Sequence, residues 1–128
     1  MKYKTSINIL VGLLIAVILF HLAVIIRVIP YAIAWGGRLK TDSEMYTFEI
    51  ISVLVNLFLI SVLLIKGGYL KFQVNKNAVN IVLWGFFFVF SLNTIGNILA
   101  NTTFEKLFSV LTLVLAILIW NILRKKNN

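Results

Sequence analysis

Seven side chains able to carry a charge, move a proton or donate paired hydrogen bonds lie within or at the edges of long apolar runs: His21, Arg27, Glu49, Asn56, Asn93, Asn97 and Glu105. An ionisable group at the centre of a bilayer costs about 2.5–3.5 kcal/mol on insertion scales, which makes such residues functional candidates by default. Glu49, Ser52 and Asn56 stand at i, i+3 and i+7, one face of a helix, and Asn93, Gly96 and Asn97 share another. The chemistry open to this set is hydrogen bonding to a ligand, cation binding, or proton transfer through the imidazole. His21, Arg27, Glu49, Asn56, Asn93 and Asn97 are therefore the candidate ligand-binding residues.

Each also has a plainer reading. Arg27 and Glu49 form an ion pair between the first two helices, act as independent interfacial residues, or belong to the site. Glu49 lies about 5 Å below the start of its apolar run at 1.5 Å per residue, and Arg27 can snorkel to the surface. His21 is either an imidazole bonded to a neighbouring helix or a titrating group. The asparagines serve as interhelical hydrogen-bonding residues when they do not line a pocket.

Much chemistry is excluded. The chain has no cysteine, so disulfides, thiolate nucleophiles and Cys-type metal sites are absent, and one histidine cannot build a multi-His metal centre. A serine-hydrolase set is not expected either, since the only aspartate, Asp42, falls in the outer loop, the only histidine, His21, falls mid-helix, and no G-x-S-x-G elbow exists. Trp35-Gly36-Gly37-Arg38 has neither a preceding strand nor a phosphate-loop lysine, and reads as an interfacial loop with a tryptophan anchor. No catalytic set, metal site or cofactor is expected, and the chain reads as a non-enzyme.

These residues must be positioned by helices in lipid. Apolar residues make up 61% of the chain, charged residues 12%, and the mean hydropathy is +1.02; soluble domains are about 25% charged. Four runs reach the roughly 20 apolar residues needed to span hydrocarbon, and none alternates with a period of two. The expected fold is a single all-α domain over 1–128, a four-helix transmembrane bundle running up-down-up-down, with helices at about 7–29, 42–66, 77–100 and 103–124 and a structured outer loop at 30–45. Pro30 is expected to end or kink the first helix. Thr41-x-x-Glu44 and Thr102-x-x-Glu105 have the form of capping boxes, and Lys66-Gly67-Gly68 the form of a helix stop. Lys2 and Lys4 before an apolar run, with Ala32-Ile33-Ala34 after it, also mimic a signal peptide cleaved after Ala34. The run is longer than a signal h-region of 7–15 residues, and Arg27 falls in the cleavage region.

Charge orients the bundle. Lys2, Lys4, Lys66, Lys71, Lys76, Arg124, Lys125 and Lys126 fall on one side with no acid, while Arg27, Arg38, Lys40 and Lys106 balance the four acids on the other. The net +8 therefore sits on one face, which the positive-inside rule makes cytoplasmic together with both termini. The expected setting is the bacterial inner membrane, with anionic lipid at the basic face and no nucleic acid. Two small-residue faces, Gly12/Ala16/Ala23 and Ser109/Thr112/Ala116, are candidate helix contacts, within the chain or toward a second copy or another membrane protein.

At Ile29-Pro30-Tyr31-Ala32-Ile33-Ala34-Trp35-Gly36-Gly37-Arg38-Leu39, at the acid-rich start of helix 2 and at Leu92-Asn93-Thr94-Ile95-Gly96-Asn97, the chain resembles a group of small four-span bacterial membrane proteins of unassigned function. The resemblance covers most of the chain and brings no activity or catalytic residues with it. The small multidrug transporters fit poorly, since the nearest counterparts of their membrane-embedded glutamate are Ala16 and His21. The leading expectation is binding or transport of a small molecule, lipid or ion in a polar pocket in the outer half. The alternative is an accessory subunit that docks through its small-residue faces.

Overall fold

The computed structural model describes residues 2–30, 41–99 and 103–124. Among them are four helices and no strand: α1 Tyr3–Ile25, α2 Asp42–Lys66, α3 Lys76–Ile98 and α4 Thr103–Leu123. All four are long and apolar enough to cross a membrane, which is compatible with a polytopic membrane protein. Most of the expected outer loop, together with Ala34 and the first residue of the second T-x-x-E, lies outside the described residues.

The helix ends follow from local chemistry. The Thr41 hydroxyl accepts a hydrogen bond from the Glu44 amide at 3.1 Å and so caps α2. At the other end of α2, Gly68 takes φ +80 while its own amide reaches the Ile65 carbonyl and the Tyr69 amide reaches that of Leu64, a Schellman turn. The end of α1 differs from expectation. The helix stops at Ile25, five residues before Pro30, in a second Schellman turn in which the left-handed residue is Arg27 at φ +65. The amides of Arg27 and Val28 bond to the carbonyls of Val24 and Ala23. The stop is thus made by hydrogen bonds upstream of the proline, and the side chain of Arg27 leaves from a turn rather than from the last turn of a helix.

Inside the bundle, one seam on each helix repeats at alternating three- and four-residue steps. On α1 it is Ile7, Leu10, Leu14, Val17, His21 and Val24; on α2 it is Met45, Glu49, Ser52, Asn56, Leu59 and Leu63. On α3 the seam is Val79, Leu83, Phe86, Phe90, Asn93 and Asn97. This spacing packs helices at a shallow left-handed angle, each side chain entering a gap opposite. Leucine, isoleucine and valine fill one half of the bundle, where Ile7, Leu10, Leu14, Leu59, Leu63, Leu83 and Ile119 are fully buried. A smaller cluster, Val24 and Met45 with Phe20 and Ile29, closes the α1–α2 corner at the opposite end.

Polar contacts show which helix ends meet. The Asn121 amide donates to the Ser6 hydroxyl at 2.5 Å, the Tyr69 hydroxyl to Asn8 at 3.0 Å, and the Lys66 ammonium to Asn80 at 2.7 Å. The start of α1 therefore lies beside the ends of α2 and α4, and the end of α2 beside the start of α3. Of the four seams between neighbouring helices, that of α3 with α4 is the most extensive and that of α2 with α3 the least, the two diagonal pairs touching only slightly.

Candidate functional site

Between the packed half and the α1–α2 corner, the seams change from leucine to polar residues, and the helices part around a cavity of about 320 Å³. All four helices line it. His21 comes from α1, Ser52 and Asn56 from α2, Asn93 and Asn97 from α3, and Thr112 from α4. These groups reach one space because they continue the seams beyond the buried leucines: His21 and Ser52 about two turns from Leu14 and Leu59, Asn56 and Thr112 within about one turn of Leu59 and Leu115, and Asn93 and Asn97 about three and four turns from Leu83, with Asn93 itself exposed. Phe20, Phe86, Phe90 and Phe108 supply the aromatic part of the apolar wall, which valine, isoleucine and leucine side chains complete, and Phe20 meets Phe108 edge to face with ring centroids 5.4 Å apart.

At one side of this cavity His21 Nδ1 lies 2.6 Å from Glu49 Oε2. The glutamate is fully buried and the histidine side chain is 16% exposed. A carboxylate beside one ring nitrogen fixes the tautomer and leaves Nε2 as the nitrogen available to the cavity. Nε2 has no hydrogen-bond partner among the described residues, and no buried polar side-chain atom there is without one, so Nε2 is accessible.

The other polar groups are held in place by their own helices. The Asn56 amide donates to the Ser52 carbonyl at 2.7 Å, one turn back. Thr94 and Thr112 join α3 to α4 through a hydroxyl pair 2.8 Å apart, and the carbonyls of Phe90 and Phe108 lie within reach of the two hydroxyls on their own helices. A hydroxyl has one proton to give, so one threonine donates across the pair while the other donates to its own helix. Asn93 and Asn97 have no hydrogen bond among the described residues, which leaves their carboxamides available to a ligand.

The predicted residues divide accordingly. His21, Asn56, Asn93 and Asn97 line the cavity, and Glu49 stands behind His21. Arg27 does not meet Glu49. It pairs with Asp42, both side chains being about half exposed, and bridges the ends of α1 and α2 at the surface. The hydrogen bonds that its guanidinium donates to Tyr46 and Asp42 hold it still more firmly in the protonated form. Of the three readings open for Arg27 and Glu49, the ion pair between them is not formed, because the left-handed turn at Arg27 turns its side chain out toward Asp42 while the α1 seam brings His21 to Glu49.

The small-residue faces also separate. Ser109, Thr112 and Ala116 are buried, at 9, 8 and 3% exposure, and are used inside the bundle. Gly12 and Ala16 are exposed, Ala23 is half-buried, and a methyl group added at Gly12 would meet no atom within 4 Å. The phenylalanine wall was missing from the sequence-level set. Its signal was present in the register, since Phe86 and Phe90 continue the seam that Asn93 and Asn97 occupy.

Among the described residues no three His, Asp or Glu side chains converge as metal ligands would. The arrangement offers neutral hydrogen-bonding groups, one imidazole backed by a carboxylate, and an aromatic wall. No family model, curated protein or solved structure matches the chain.

Proposed function

We propose that this chain is a non-enzymatic membrane protein that binds a small molecule, lipid or ion in the four-helix cavity, in the manner of a binding or transport protein. The observation that carries this reading is the cavity itself: polar residues from all four helices line one space in a core that is otherwise filled with leucine and isoleucine. A pocket of a few hundred Å³, mostly apolar with a few convergent polar groups, is the usual form of a small-molecule site. In this reading the helices run up-down-up-down across the bacterial inner membrane with both termini cytoplasmic. The basic residues then face anionic lipid, and the cavity lies in the outer half.

Ligand-induced thermal shifts of the purified protein in detergent test the reading, measured across a chemically varied set for wild type, Asn56→Leu and Asn93→Leu. A shift lost in either variant is the expected result. Shifts that survive both substitutions unchanged would remove the cavity as the site.

A second reading, an accessory subunit, draws on the outward Gly12 and Ala16, which leave α1 free to approach another helix closely. Affinity purification from native membranes, with Gly12→Leu as control, separates the two. A co-purifying membrane protein lost in that variant favours this reading, and a partner-free chain favours the first.

A further inference from the structure

We infer that the cavity opens sideways, between α2 and α3, into the hydrocarbon of the bilayer, and that it takes a neutral amphiphile with a carbonyl- or hydroxyl-bearing head and a single hydrocarbon tail. The inference rests on the cavity being a ligand site, as proposed above, and names what enters it and from where.

The opening is marked by which lining residues are exposed. Ile51 and Val55 on α2 are 51% and 43% exposed, and Val89 on α3 is 49% exposed, although all three line the cavity. The lining residues of α4 are half-buried or buried, Thr112 at 8% and Leu115 at 2% among them. The gap therefore lies between α2 and α3, the least extensive seam of the bundle. That seam is pinned at its other end, where Lys66 bonds Asn80, and the rings of Phe58 and Phe86, 6.3 Å apart, bridge it at the near edge of the cavity. The two helices are tied at one end and parted toward the other.

Depth decides what the opening faces. Ile51 and Val55 lie roughly 14 and 20 Å along α2 from Asp42 at 1.5 Å per residue, within the apolar run 46–65. At that level the surroundings of a membrane-spanning bundle are acyl chains, so a ligand arrives from the lipid and needs a tail that is at home there.

Charge decides the head. No Lys, Arg, Asp or Glu lines the cavity. Two carboxyl side chains are buried close by, Glu49 behind His21 and Glu105 one turn from the lining Phe108. An anionic head would find no cation and would approach a buried carboxyl; a carbonyl or hydroxyl would find the His21 imidazole and the carboxamides of Asn93 and Asn97. Burying a charge without a partner is far more costly than burying a neutral polar group that is hydrogen-bonded. The phenylalanine wall accommodates either a flat ring or the first carbons of the tail.

Equilibrium binding to the full chain in detergent tests this, using a decyl-tailed benzoquinone and monoolein as neutral probes. The corresponding tailless quinone and glycerol test the need for a tail, and lysophosphatidylglycerol tests the need for a neutral head. The variants are Ile51→Trp and Val89→Trp at the opening, Asn93→Leu inside, and Leu19→Trp on the exposed α1 surface as control. The expected result is binding of one or both tailed neutral probes, weakened roughly tenfold or more by tryptophan at the opening. Asn93→Leu should weaken it roughly threefold to tenfold, the loss of one neutral hydrogen bond, and Leu19→Trp should leave it unchanged. Quinone binding alone identifies a planar carbonyl head, and monoolein binding alone a hydroxyl-bearing one. Equal binding of the tailless molecules, or no effect of either opening variant, would overturn the lateral route while leaving the cavity as a site. Equal binding of the anionic lipid would overturn the neutral head. Failure of every tailed probe, alongside an Asn93-dependent thermal shift from another compound, would overturn this inference and not the proposed function.

Discussion

Removing either partner of the His21–Glu49 pair should destabilise the bundle by more than removing both. Glu49 is fully buried and its Oε2 is 2.6 Å from His21 Nδ1. Two magnitudes compete. A hydrogen bond to a charged group contributes about 1.5–3 kcal/mol in proteins generally, but interhelical hydrogen bonds in membranes average about 0.6 and reach about 1.7 kcal/mol, because the dissociated helices find other partners. The complete burial of Glu49 puts this pair at or above the upper end of the membrane range, at about 2 kcal/mol. His21→Leu leaves the buried carboxyl without the imidazole and should cost the most, about 2 kcal/mol, below the cost of a buried charge left with no partner because Glu49 keeps another contact. Glu49→Leu leaves a smaller polar remnant and should cost about 1.5 kcal/mol. The double variant should cost about 1 kcal/mol, since a buried ion pair replaced by apolar residues of similar volume is often neutral, which makes the coupling about 2.5 kcal/mol. Reversible unfolding in mixed micelles of increasing SDS fraction measures all four proteins. The edge-to-face contact of Trp84 with Trp120, with centroids 5.6 Å apart across α3 and α4, supplies the fluorescence reporter. A coupling energy below about 0.5 kcal/mol, the ordinary scatter of independent sites, would refute the pair as an energetic unit.

Three further substitutions probe other joints. Thr94→Val removes one hydroxyl of the Thr94–Thr112 pair and should cost about 0.6–1.7 kcal/mol in the same unfolding assay, toward the lower value because Thr112 also donates within its own helix. Arg27→Gly should be more stable than Arg27→Ala by about 1 kcal/mol: both lose the exposed bond to Asp42, and only glycine relieves the left-handed backbone. Equal stabilities would show that Arg27 does not hold that conformation. Gly68→Ala should cost about 1 kcal/mol from its φ of +80 alone, because the added methyl meets nothing within 4 Å, and chemical denaturation should show no change in m-value.

Much of the fold was readable from the residues, because four runs of about 20 apolar residues leave no other folded solution in lipid. The helix stop at Lys66-Gly67-Gly68 was equally plain, since glycine is the residue that adopts φ near +80 without strain. The stop at Arg27 was not. A non-glycine residue in the left-handed region has no sequence signature, and the nearby proline draws attention to the wrong position. That single turn decided the charge pairing, for it removed Arg27 from the helix surface and left Glu49 to His21. The wheel of α1 held the information in another form. His21 lies opposite Gly12, so once the leucine-rich face is taken as the inward one, the histidine faces the bundle and the small-residue face looks out. On α4 the order is reversed, and small residues at the same spacing are buried. Composition of a face does not say which way it points; its register with the large apolar residues does.

That register also bears on why a cavity is there at all. Ser52, Asn56, Asn93 and Asn97 occupy seam positions equivalent to Leu59, Leu63 and Leu83, at which leucine would fill the space. A void of about 320 Å³ sealed in a dry core would cost about 8 kcal/mol at about 24 cal/mol per Å³, comparable to the whole stability of about 5–15 kcal/mol typical of a domain. A helical bundle does not carry that penalty unrelieved. Exposure of Ile51, Val55 and Val89 at its margin supplies the relief, since a space open to the side fills with lipid tails or with ligand and keeps its contacts. Polar residues at the positions where leucine would pack, together with exposed apolar residues at the cavity margin, therefore fit the proposed function as one arrangement: a space whose cost in packing would be offset by what enters it.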